Sequence, residues 1–204
     1  MDKAEAALGA ATYSAFKELL ATSSCKRCAL SEGRTQIVID RGDPAAKVLF
    51  VGEAPGEKED LAGEAFVGRS GQLLDAMLRE IGFDTNQNAL IVNVAKCRPP
   101  KNRAPFKEEA GACRPFLRRQ IELVKPRLIV LLGKTALTHL LPETKDISMA
   151  DQAGRCFQHR DYPGSDLMVL FHPAYILRDP RKKPLMAQHL KMLVEFWKQL
   201  VIPA

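Results

Sequence analysis

The chain has 204 residues, 46% of them hydrophobic and 26% charged, with 30 Lys and Arg against 24 Asp and Glu for a formal net charge of +6. That length and balance allow one sizeable core and exclude a low-complexity chain. No run approaches the roughly 18–20 apolar residues of a membrane span, and MDKAEAALGA lacks the pattern of an export signal. A cytoplasmic monomer folded as one domain over 1–204 is therefore expected, with a polyanion as the partner that a basic surface attracts.

In chain order, residues 3–21 place Leu8, Ala11, Phe16 and Leu19 or Leu20 at helical spacing, which predicts one N-terminal helix leading over 1–24 into the pair Cys25 and Cys28. Four short apolar runs follow: 47–52, 89–94, 127–133 and 167–173. Each ends in loop residues, as strands buried on both faces do. Between them lie helical patterns at 70–82, at 107–124 with Pro115 expected to bend or divide it, and at 133–141. An amphipathic helix over 182–201 closes the chain. Strands alternating with helices predict an α/β fold, a three-layer α/β/α sandwich on a mainly parallel four-stranded sheet. Ligands bind such sheets outside the carboxyl ends of the strands, and here those ends carry GEAPG, NVAKC, LGKTA and HPAYILR.

The first of these loops, GEAPGEKEDLAGEAFVG over 52–68, has the glycines of a phosphate cradle but carries Glu53, Glu57, Glu59, Asp60 and Glu64 against Lys58. It lacks GxGxxG, and Gly133-Lys134-Thr135 lacks the upstream glycine of a P-loop, so neither a dinucleotide nor a triphosphate fingerprint is present. Ser70 as a helix N-cap, and Thr135 in the LGKTA turn, each offer a hydroxyl beside free amides, a site for a single phosphate. Positive charge gathers elsewhere. Eight Lys and Arg lie between Lys96 and Arg119, and five between Arg178 and Lys191. Without an export signal, Cys25, Cys28, Cys97 and Cys113 read as a four-thiolate site for zinc or an iron–sulfur cluster, the spacing leaving that choice open. Cys156 reads as a buried apolar cysteine.

Taken together, GEAPGEKEDLAGEAFVGRSGQLLD, NVAKCRPP, the four-cysteine spacing and HPAYILR resemble the family 4 uracil-DNA glycosylases of bacteria and archaea, over about three quarters of the chain. The resemblance implies a [4Fe–4S] cluster on Cys25, Cys28, Cys97 and Cys113, and removal of uracil from single- or double-stranded DNA. It implies that Phe66 stacks on the base, that Asn93 reads its N3–H and O4, and that His172 donates to the anion developing on O2. Glu53 and Ala54 would line the uracil edge, and Glu59 would crowd C5 and reject thymine. The aspartate that orients water in the best-known uracil-DNA glycosylase family is replaced by Ala54, leaving Glu53 or Glu59 as candidates for that task. Ile176 and Leu177 would wedge into the duplex beside Arg178, while Lys101 and Arg103, with Arg181, Lys182 and Lys183, would track phosphates. Two other readings compete. A covalent uracil-DNA-binding relative needs a histidine in an inserted loop, and residues 97–112 contain none. A non-catalytic iron–sulfur DNA-binding module would have no need of Glu59, Phe66, Asn93 and His172 together.

Overall fold

A computed structural model describes residues 2–201, so the expected 1–204 extent runs past the described residues at both ends. The strands are β1 (Arg41–Gly42), β2 (Val48–Gly52), β3 (Ala89–Asn93), β4 (Leu128–Leu132), β5 (Cys156–Gln158) and β6 (Asp166–Leu170). The helices are α1 (Lys3–Leu8), α2 (Tyr13–Ala21), α3 (Glu57–Ala62), α4 (Arg69–Arg79), α5 (Thr85–Asn88), α6 (Lys107–Val124), α7 (Gly133–Leu140), α8 (Met149–Gln152), α9 (Pro173–Arg178) and α10 (Lys183–Val201).

The four apolar runs form the parallel centre of the sheet, in the order β3-β2-β4-β6. Two short antiparallel strands extend it to six, β1 beside β3 and β5 beside β6. At two and three residues these edge strands are too brief to leave an alternating pattern in the sequence. Because side chains alternate along each strand, one face presents Val48, Phe50, Ile91, Val130 and Met168 to α4, α9 and α10. The other presents Leu49, Val51, Val92, Ile129 and Val169 to α6 and α7. Each fully buried aliphatic side chain contributes roughly 1.5–3 kcal/mol, so the two faces together hold the sandwich.

The N-terminal segment is two helices. Gly9 ends α1, and the Thr12 hydroxyl accepts from the Ala15 amide to start α2. A capping Thr with a Gly three residues before it is a stop followed by a start, which overrides a helical spacing of apolar residues. Both helices pack on the outer side of α6 through Phe16, Leu20 and Phe116. Asp40 pins them: its carboxylate accepts from the Tyr13 hydroxyl at 2.7 Å and the Lys17 ammonium at 2.6 Å. Burial, with Asp40 alongside, pushes the Tyr13 phenol far above its ordinary value, so it stays a donor.

Pro115 does not divide α6, which runs unbroken over 18 residues. The carbonyl that loses its donor belongs to Gly111, an exposed residue with open space on its side-chain side, where water can take the lost bond. Cys156 departs from expectation as well. It is exposed, on the edge strand β5.

Candidate active site

In the order β3-β2-β4-β6 the chain leaves β2 toward β3 and leaves β4 toward β6, so the carboxyl ends of β2 and β4 form the switch point where open α/β sheets bind ligands. Glu53 follows β2, and Thr135 lies in the first turn of α7 after β4. The Thr135 hydroxyl donates to the Glu53 carboxylate, closing that point. Beside it opens a cleft of about 390 Å3 lined by Glu53, Ala54, Glu59, Phe66, Asn93 and His172. The six residues assigned to base recognition from the sequence thus meet in one place, delivered by three strand ends and the acidic loop.

Asn93 ends β3 and is 1% exposed, yet among the described residues neither its Oδ1 nor its Nδ2 has a partner. A buried amide left unpaired costs roughly 1–3 kcal/mol, so this one is poised for a ligand with a donor and an acceptor side by side. Phe66 lies against it. A methyl group placed on Gly52 would sit 2.4 Å from Phe66 Cε2 and 2.5 Å from Asn93 Oδ1, so glycine at the end of β2 is what lets ring and amide share the cleft. Phe66 adopts φ 57°, a left-handed backbone that disfavours a bulky residue. Its carbonyl accepts from Arg41 at 3.0 Å, and Arg41 is itself clamped on Asp75 by two bonds of 2.6 and 2.9 Å.

His172 caps α9. Its Nδ1 accepts from the Ala174 amide at 3.1 Å, which puts the single proton of the neutral ring on Nε2. Burial, aided by the positive Arg178, depresses its pKa from 6.5 to about 4. The imidazole is 5.7 Å from the Phe66 ring, tilted by 42°. Gly133, at φ +82°, lies against it, and a side chain there would come within 2.9 Å of His172 Cβ.

The acidic loop uses its charges internally. Glu59 accepts from the amides of Gly56 at 3.1 Å and Gly68 at 2.6 Å, tying the two ends of the loop together. Asp60 accepts from the amides of Thr35 and Gln36, and Glu57 pairs with Arg98 at 2.9 Å. Glu57, Glu59 and Asp60 also occupy the first turn of α3, where negative charge complements the helix dipole.

A second cavity of about 510 Å3 adjoins the first and shares Glu53 and His172 with it. Lys134, Arg178 and Lys182 form its basic side, with Arg178 exposed. Several expected contacts stand differently. Ile176 is 2% exposed and packs in the core, because only one side of the six-residue α9 faces outward; Leu177, at 37%, is on that side. Arg103 is committed to Glu109 through two bonds of 2.7 and 2.8 Å and is not free to follow a phosphate. Ser70 lines the cleft from the first turn of α4, whose N-cap is Gly68. The Thr135 hydroxyl is occupied by Glu53. Lys101 is exposed, with a left-handed φ of 55°.

The cysteine pairs approach each other where α2 and α6 meet the loop after β3. Cys113 and Cys25 belong to the cluster around Phe16 and Phe116, while Cys97 and Cys28 pack with Leu30 and Ala95. Burial pushes the Cys97 thiol up to about 12, with Cys113 and Cys28 adding to the rise. Burial likewise raises Cys113, where Cys28 and Cys25 contribute. Cys113 is therefore within electrostatic reach of Cys25 and Cys28, and Cys97 of Cys28 and Cys113. Two N–H groups point at them: Arg34 Nη1 at 3.4 Å from Cys97 Sγ, and the Lys96 amide at 3.4 Å from Cys113 Sγ. Among the described residues no three His, Cys, Asp or Glu side chains group tightly enough for one metal ion.

Two contributors lay hidden in the sequence. Gly52 reads as the end of a strand, and only its neighbours reveal why it cannot carry a side chain. Lys96 counts as one charge in a basic run, yet it is 1% exposed and its Nζ donates to the Asn93 carbonyl at 2.6 Å. Its position, three residues after Asn93 and next to Cys97, was the available signal.

The model of the uracil DNA glycosylase superfamily matches residues 39–201. The type-4 uracil-DNA glycosylase of Thermotoga maritima is 43% identical over 155 residues, 76% of this chain and 79% of the relative. Those of Sulfurisphaera tokodaii and Pyrobaculum aerophilum are 38% and 41% identical, covering 84% and 77% of this chain and 80% and 81% of theirs. On a match that includes the carboxyl ends of all four parallel strands, the chain belongs to the uracil DNA glycosylase superfamily, among its type-4 members.

Proposed function

We propose that the protein excises uracil from DNA, hydrolysing the N-glycosidic bond and leaving an abasic site. The observation that carries this reading is the unpartnered amide of Asn93, buried between Phe66 and His172 in the cleft. Uracil presents N3–H beside O4, which pairs with an amide oxygen and amide N–H side by side. Cytosine presents the reverse pattern at those positions and leaves both groups unpaired when the amide keeps the orientation that reads uracil, which is how a hydrogen-bonding site gains discrimination. To reach the cleft the nucleotide leaves the stack, at a cost of a few kcal/mol, and the Phe66 ring replaces part of the lost stacking.

As the C1′–N1 bond lengthens, its electron pair moves onto uracil and charge gathers on O2. His172 Nε2–H is the donor for that charge, fixed in place because Nδ1 is held by Ala174. A neutral imidazole suits the task, since it donates without becoming a second cation beside the oxocarbenium-like sugar. Water then adds its oxygen to C1′, and the proton it gives up passes by way of solvent to the departing uracil anion, which leaves as neutral uracil. With Ala at position 54, we assign the positioning of that water to Glu53, one of whose oxygens is held by Thr135. Glu59 acts by holding the loop that surrounds the base.

Cys25, Cys28, Cys97 and Cys113 are the residues that would hold a [4Fe–4S] cluster. The donor set fits one: four thiols from two segments with N–H groups aimed at two of the sulfurs. When bound, the cluster supplies a cross-link between α6, the loop after β3 and the N-terminal segment, and no step of the hydrolysis. The purified protein is expected to be brown, with broad visible absorption that bleaches on chemical reduction; a zinc protein would be colourless.

The test is direct. Wild-type protein should create alkali-labile sites in uracil-containing DNA and leave cytosine- and thymine-containing controls intact. Asn93→Leu should abolish excision while raising the unfolding temperature, because an unpaired buried amide gives way to an apolar group of similar size. Wild-type protein that binds such DNA without breaking the bond would refute the reading.

A further inference from the structure

The loop from Pro99 to Phe106 forms a wall of the cleft through Asn102 and Arg103. It is bent sharply, with Lys101 and Asn102 both at a φ of 55°. At its end Phe106 occupies the N-cap position of α6. Helices favour Ser, Thr, Asp or Asn there, and a phenyl ring offers the helix no capping bond. The ring is not drawn into the core either, being 58% exposed.

What it has is support from beneath. The Arg103 guanidinium lies 3.7 Å from the ring centroid. That guanidinium is locked by its two bonds to Glu109, and the same carboxylate accepts from the Phe106 amide at 2.7 Å. Arg103, lying alongside, holds the Glu109 carboxyl below the usual carboxylate range, so the clamp stays ionised. Ring, guanidinium and carboxylate are thus a rigid stack, one face covered by Arg103 and the other side open. Arg103 also lines the cleft, so the ring stands one side chain away from the place of the flipped nucleotide. Lys101 and Lys107 are exposed on either side of it in the chain.

We propose that Phe106, backed by Arg103, is a stacking platform for an unpaired nucleobase neighbouring the uridine in single-stranded DNA. The proposal rests on the uracil-excision reading of the cleft. A planar ring with a free side, preorganised next to a strand-binding cleft and flanked by cations, is the arrangement by which proteins hold single strands without reading their sequence. Every base has a π-face, so the platform adds affinity and no sequence preference. A neighbour paired in a duplex keeps its own stacking and has no need of the ring.

The experiment uses full-length protein and an oligodeoxynucleotide with a tetrahydrofuran abasic analogue in place of the uridine, single-stranded or annealed, with binding followed by fluorescence anisotropy. Phe106→Ala should weaken single-strand binding by roughly five- to thirtyfold. Phe106→Leu, apolar but without π-electrons, should bind like Phe106→Ala, and Phe106→Trp should restore or exceed wild-type affinity. The Phe106→Trp protein's fluorescence should be quenched by the single strand, over a constant contribution from Trp197, which is packed on Phe83. Equal affinities across the series, or Phe106→Leu binding like wild type with no quenching of Phe106→Trp, would overturn the platform. A series that appears in duplex and not in single-stranded DNA would overturn the assigned occupant. Wild-type excision of uracil, assayed alongside, separates the two ideas: excision with a flat series refutes the platform alone, and absent excision refutes the parent reading.

Discussion

Asn93 and His172 reach the same cleft in opposite conditions. One ring nitrogen of the imidazole, Nδ1, is held by the Ala174 amide, whereas among the described residues both polar atoms of the Asn93 amide are left without partners. The imidazole's condition sets a pH dependence. Its folded pKa of about 4 lies below its ordinary 6.5, so the folded state prefers the neutral ring. The stability this gives is complete above about 6.5 and is lost as pH falls toward about 4, where a proton on Nδ1 would face the Ala174 amide. Excision should therefore show no ionisation from His172 between pH 5 and 8, and the ring's NMR titration should centre near pH 4. A midpoint near 6.5 in the free protein would contradict the assignment. His172→Ala removes one preorganised donor and should lower kcat by roughly 10²–10³, with the loss measured in single-turnover assays.

The elements around these residues differ in how plainly the sequence announces them. The parallel strands were legible because they are unbroken apolar runs of five residues buried on both faces, and the cleft was legible because four such runs end in chemically distinctive loops. Contacts made by single side chains across the fold were not. Arg103 counts as one more cation until Glu109, six residues on, is seen to hold both of its terminal nitrogens. Ile176 and Leu177 are adjacent apolar residues, and only the way α9 lies on α4 sends one inward and the other outward. The acidic loop is the clearest case, since charges that suggest a surface property turn out to be engaged: Glu59 accepts the loop's own amides, Asp60 those of Thr35 and Gln36, and Glu57 pairs with Arg98. Glu59→Ala would leave the Gly56 and Gly68 amides without partners. It should cost about 1–3 kcal/mol of stability and raise KM for uracil-DNA more than it lowers kcat, read from denaturant unfolding and steady-state kinetics. Unchanged unfolding would show that the loop does not depend on that carboxylate.

Across the whole molecule, a net charge of +6 coexists with a base pocket whose near wall is acidic. The two are reconciled by place. Lys134, Arg178 and Lys182 gather at the neighbouring cavity, and among the described residues no helix is long and apolar enough to cross a membrane. Phosphate contacts release counterions, so affinity for abasic-site DNA should fall linearly on a log–log plot against salt, and neutralising Arg178 and Lys182 together should flatten the slope by roughly 1–2 units. An unchanged slope would place the backbone path elsewhere.

The position of His172 at the very start of α9 has a mechanical meaning. His172 is the N-cap of a short helix whose far end leaves Leu177 and Arg178 exposed and whose inner side is anchored by Ile176. Helix and imidazole are joined directly, through the bond from the Ala174 amide to Nδ1. On the proposed function, the group that donates to the base and the side chains exposed toward the neighbouring cavity thus stand at opposite ends of one short helix.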